Sequence, residues 1–207
     1  MLQRFLDSGK PTLPGVVVLD EDDALNYSDV SLPPLWGRLI FKRDCVTNHL
    51  NKVFSIFPNE DFYGFAADDL VPEEGWDVFL SKRCEDIYIA YGDDGIQGEK
   101  LCTHSFIGGD LIRKVGWMQY PKVKHLYGDT VWKTIGSELG LLRYYPEIKT
   151  THLHFSNGGT YDKTYAERHC GNDESAFVNW KENEWSVSKS QLLEWQLIKL
   201  INQRGEV

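Results

Sequence analysis

Apolar positions along the chain follow two rhythms, a helical one and short continuous runs bounded by polar turns. Leu2, Phe5 and Leu6 have helical spacing, ended by Ser8-Gly9-Lys10-Pro11. Val16-Val17-Val18-Leu19 is a β-branched run that predicts a strand buried on both faces, stopping in the acidic stretch Asp20 to Asp23. Residues 24–37, with Pro33-Pro34, predict a loop, 39–41 a short strand, and 46–57 an amphipathic helix closed before Pro58. Residues 62–67 read as a second buried strand running into Asp68-Asp69, 76–84 as a helix, and 87–91 as a strand ending in Gly92-Asp93-Asp94-Gly95. Beyond the apolar Phe106-Ile107-Gly108-Gly109, helices are expected over 110–115 and 129–139, the latter ended by Gly140. Residues 143–151 read as a strand leading into His152-Leu153-His154, 157–171 as a polar loop, and 173–203 as mostly helical.

Strands alternating with helices imply an α/β fold with a sheet mostly parallel at its start. The expected division is a core over 1–156 and, over 157–207, a loop and helical C-terminal extension packed on it. In open α/β sheets ligands bind beyond the carboxyl ends of the strands. Three strands end in acidic pairs, and carboxylates gathered at one edge suit a hard cation such as Mg²⁺ or Mn²⁺.

Composition narrows the classes. With 207 residues, 42% of them hydrophobic, the chain can bury a sizeable core. A formal charge of −9 argues against a broad nucleic-acid-binding surface. The four cysteines are widely spaced, with no CxxC pair, so free thiols are expected. No stretch approaches a membrane span, and MLQRFLDSGK lacks the apolar core of a signal peptide, so a cytoplasmic location and no membrane partner are expected.

Chemistry is carried by a few segments. In Ala66-Ala67-Asp68-Asp69-Leu70-Val71-Pro72 a strand delivers adjacent carboxylates to a turn, which suits a metal bridged to phosphate oxygens. His152 and His154, two apart, share one face of a strand and can complete a metal site. Tyr91-Gly92-Asp93-Asp94, the run FIGGDLIRKVGW from Phe106, HLYGDTVW from His125 and His152-Leu153-His154 occur in that order. Together, over 14–156, they resemble the GT-A glycosyltransferases of the large inverting family that includes chitin and cellulose synthases. The resemblance is strongest to a short phage-type branch.

The resemblance implies a nucleotide-sugar donor and a divalent cation. Counting back from Pro72, Ala66 stands where the family's Asp-x-Asp motif has its first aspartate and Asp68 where it has the second. Asp68 is thereby the leading metal ligand, with Asp69 beside it and His152 or His154 completing the site. Asp20 matches the residue that recognises the donor's base or ribose, Asn51 an asparagine near the donor, and Asp129 the general base. The family's first strand has no counterpart, and the chain opens inside what matches its first helix. The expected reaction is an inverting sugar transfer to an acceptor hydroxyl that the sequence leaves open, whether of a glycan, a small molecule or a modified base. Two alternatives stand beside it: a non-catalytic sugar- or nucleotide-binding module of the same fold, and a phage enzyme glycosylating hydroxymethylated DNA bases.

Overall fold

A computed structural model describes residues 1–154 and 172–205. The order is α1 (Leu2–Gly9), β1 (Gly15–Asp20), β2 (Trp36–Phe41), α2 (Val46–Ile56), β3 (Phe62–Gly64), β4 (Leu70–Pro72), α3 (Trp76–Cys84) and β5 (Ile89–Asp93). There follow β6 (Phe106–Gly108), α4 (Gly109–Val115), α5 (Gly128–Leu139), β7 (Leu142–His152), α6 (Asp173–Asn179) and, after a π-helical turn at Trp180–Glu184, α7 (Trp185–Gly205). The polar loop expected over 157–171 lies outside the described residues.

The fold is α/β, but the sheet departs from the mostly parallel expectation. Five strands pair in the order β3-β6-β5-β7-β4, and only β5 and β7 are parallel. A parallel neighbour needs a long crossover, which α4 and α5 provide between β5 and β7; β5 and β6 are joined by the loop 94–105, which holds no crossover helix longer than a single 3-10 turn, and run antiparallel. The other parallel pair, β1 with β2, stands as a separate two-stranded sheet. The strand expected over 62–67 is shortened to β3, and a further strand, β4, follows the acidic turn. The chain turns at Asp68-Asp69 and returns along the end of β7, where Pro72 is tolerated at the sheet edge because it has no N–H to contribute.

Alternating side chains build a core on each face of the sheet. Ile89, Tyr91 and Ile107 face α4, α5 and the C-terminal helices, packing with Leu111, Ile112, Val131, Trp132 and Ile135. Ala90 and Phe106 point the other way, toward α1, α3 and β1, among Phe5, Leu19, Trp76 and Leu80. Trp180, Trp185 and Leu192 seat the C-terminal helices on the first core. No helix among the described residues is long and apolar enough to cross a membrane.

Candidate functional site

Strand directions gather the chemistry at one end of the sheet. The parallel strands β5 and β7 finish there with Asp93-Asp94 and His152. The antiparallel registers Leu70↔His152 and Ala90↔Phe106 bring the starts of β4 and β6 to the same end, with Asp68-Asp69 and His104 just before them.

Asp69 is buried, and its Oδ2 lies 3.1 Å from His152 Nε2. Its backbone carbonyl accepts the Leu153 N–H, while the His152 N–H donates to the Asp94 carbonyl, so the turn and both strand ends are locked together. Asp68 is exposed on the same turn, so the inward carboxylate is Asp69, the residue ranked second by the sequence reading. The His154 ring lies 5.4 Å from that of His152, centre to centre.

No sequence pattern marks His104, a lone histidine in the 94–105 loop, yet it joins this group. Its ring stacks on Phe65 at 5.8 Å and meets His152 edge-on at 5.0 Å. His104 is buried, and its Nδ1 has no hydrogen-bond partner among the described residues. Burial, and secondarily His152, push its pKa down to about 4, so the ring is neutral at neutral pH. Its backbone adopts a left-handed φ of 51°, a conformation histidine accepts more readily than most residues.

The loop carrying His104 ties the cluster to Asp129. Cys102 Sγ lies 3.5 Å from the Asp129 carbonyl oxygen, and the Thr103 hydroxyl donates to Asp94 Oδ2. Asp94 is fully engaged, because Oδ1 also accepts the N–H groups of Ile96, Gln97 and Gly98. Burial alone would raise the Asp94 pKa, but these donors outweigh it and hold the carboxyl below its ordinary value. Asp129 lies in the first turn of α5, behind Tyr127, the N-cap residue. Its Oδ1 accepts the Thr130 N–H at 2.7 Å, yet burial prevails and raises its pKa above the ordinary carboxylate value. Cys102 is no nucleophile: burial pushes its thiol up to about 12, and it stays protonated.

Two predicted residues belong to other parts of the structure. Asp20, at the end of β1, pairs with His49 Nε2 at 2.7 Å and accepts the Asp44 N–H. Asn51 accepts the N–H groups of Met118 and Gln119 and donates to the Gln119 carbonyl, which staples α2 to the 118–119 loop.

No family model, curated protein or solved structure matches the chain. The site's chemistry therefore rests on its own geometry. Asp69, His104, His152 and His154 supply the oxygen and nitrogen donors a divalent cation requires. Among the described residues, however, no three such side chains are already disposed to hold an ion.

Proposed function

We propose that the chain is an inverting glycosyltransferase that moves a sugar from a nucleotide-sugar donor to an acceptor hydroxyl, with Asp129 as general base. What supports the reading, beside the motif resemblance, is the linkage through Cys102, Thr103 and His104. That tripeptide couples Asp129 to the Asp69–His152 cluster at one edge of the sheet. A base must hold the acceptor's hydroxyl proton while a separate group neutralises the departing diphosphate, and such a division of labour needs two adjacent sites. In the step, the acceptor oxygen bonds to the anomeric carbon and its proton passes to Asp129. The bond from that carbon to the phosphate oxygen breaks, and its electron pair leaves with the diphosphate. A divalent cation, when bound, supplies positive charge to that leaving group. The burial that raises Asp129's pKa makes it a stronger base than an exposed carboxylate.

The test is transfer or donor hydrolysis across several nucleotide sugars, with and without Mn²⁺. Asp129→Asn keeps the side chain's shape but cannot take the proton, and is expected to lower transfer at least ~10²-fold at unchanged melting temperature. The acid limb of the wild-type pH–rate profile is expected above the ordinary carboxylate range. Equal rates in the two proteins would remove Asp129 from the mechanism. Donor binding with no turnover would instead favour a non-catalytic binding module.

A further inference from the structure

We propose that the open edges of β1 and β3 form a strand-acceptor site, which takes an extended apolar segment of a partner protein as the strand that joins the two sheets. The inference goes beyond sugar transfer and does not depend on it. The five-stranded sheet ends at β3, and β1 with β2 forms a separate sheet. Backbone hydrogen-bonding groups alternate in direction along a strand, so residues that do not face one neighbour face the other side. The Gly15 N–H donates to the Leu35 carbonyl and the Glu21 N–H to the Phe41 carbonyl, both toward β2. Val16 and Val18 therefore turn their N–H and C=O groups away from β2. On β3, the Asp61 carbonyl accepts the Gly109 N–H and the Phe65 N–H donates to the Ser105 carbonyl. Phe62 and Gly64 therefore turn theirs away from β6. Among the described residues, none of these four outward-facing residues has a backbone partner on that side.

The surroundings differ from those of an ordinary solvated edge. On the outer side of β2, Arg38 and Ile40 are exposed, and a charged residue there discourages pairing. Val16, Val18 and Phe62 are instead half-buried, and polar backbone shielded from water is ordinarily paired. Helices bridge the two sheets on both faces. On one, α2 reaches Asp20 at the end of β1 through His49, and Tyr63 of β3 through Phe54. On the other, Phe5 and Leu6 of α1 share a cluster with Val17 and Leu19 of β1, against which Phe62 of β3 packs. A strand entering between α1 and α2 meets apolar side chains on both faces, so the fitting segment is a continuous, β-branched apolar run. The acidic stretch Asp20 to Asp23 lies at one end and complements a basic residue that follows such a run. A second copy of the chain is a poorer occupant, because every described strand in it is already paired along at least one edge.

The experiment is amide exchange in the full chain, with and without a short synthetic peptide of alternating isoleucine and valine ended by two lysines. Aligned with β1, its lysines meet the acidic stretch. Without peptide, the amides of Val16, Val18, Phe62 and Gly64 are expected to exchange faster than that of Tyr63, which is bonded to β6. The peptide is expected to slow those four at least ~10-fold and to leave Tyr63 unchanged. A control peptide with proline at alternate positions lacks the N–H groups of a ladder and is expected to protect nothing. Val16→Pro removes an unpaired N–H and no native hydrogen bond, so peptide affinity should fall at least ~10-fold at equal melting temperature. Equal affinity in that variant would overturn the site. Should the variant fold poorly, the proline peptide decides with the wild type: equal protection by it overturns the site, and none supports it. Protection on only one of the two strands, or on neither, would also overturn it. So would slow exchange of the four amides before peptide is added, and a doubled mass in solution would then assign the position to a second copy.

Discussion

Half-buried Asn51 and buried His104 contrast a polar side chain whose bonds are complete with one whose bonds are not. All the bonding capacity of Asn51 that the structure reveals goes to the backbone of residues 118–119. Asn51→Ala leaves two backbone N–H groups and a carbonyl without those partners. It is expected to cost about 2 kcal/mol in urea denaturation. His104 instead carries an unused nitrogen, and its protonation opposes folding. Its pKa is about 4 in the folded state against 6.5 in the unfolded chain, so between those values the unfolded state binds a proton that the folded state refuses. That stability is fully present above pH 6.5 and lost as the pH falls toward 4, by about 3 kcal/mol in all. Metal-free urea melts at pH 7.5 and 4.5 measure the loss, and His104→Asn is expected to lessen it. An unchanged slope in the variant would assign the loss to other groups.

At the scale of elements, the glycine pair between β6 and α4 shows how a motif is explained by packing. A methyl group at Gly109 would fall on the Glu60 carbonyl oxygen, and one at Gly108 on the backbone of Glu85 and Asp86. The Gly109 N–H donates to the Asp61 carbonyl at 2.7 Å, so the backbones are held in contact. Gly109→Ala must push α4 away from the 60–61 turn. A loss of about 2–3 kcal/mol is expected, read as a lowered urea midpoint without a changed slope. Asp173 has a comparable role at the start of α6. It is fully buried, and its two carboxylate oxygens accept the N–H groups of Lys124, His125 and Leu126. Asp173→Ala would strip three backbone donors of their partner and is expected to release the loop leading into α5, seen as faster amide exchange at residues 124–126.

Over the whole molecule, the C-terminal helices are part of the core rather than an accessory. Trp185 is buried against it and donates from Nε1 to Glu138 Oε2 at 2.9 Å. Lys199 reaches back to Asp110 and Asp86 on the α4 side. Trp185→Ala is expected to cost about 3–5 kcal/mol, and a two-state melt should show one transition, because core and extension share that cluster. Two separate transitions would mean that the extension folds independently.

Element types were legible from the sequence because they depend on local chemistry. Helical spacing in 46–57 and 129–139, the β-branched run of β1 and glycine at the end of α5 each state a preference that burial reinforces. Asp69, His152 and His154 were legible as candidates because carboxylates and imidazoles beside apolar runs stand out in the sequence, and Asp129 was singled out through the motif resemblance. Tertiary structure decided which of them meet. It turned the chain back at Asp68-Asp69 to make β4, an edge strand whose partner lies some eighty residues on. It chose Asp69 over Asp68 for the inward position, engaged Asp94 with backbone donors, tied Asn51 to a loop, and brought His104 against His152. Strand direction and long-range register set these outcomes, and both are fixed by contacts between residues far apart in the chain, which local periodicity does not encode.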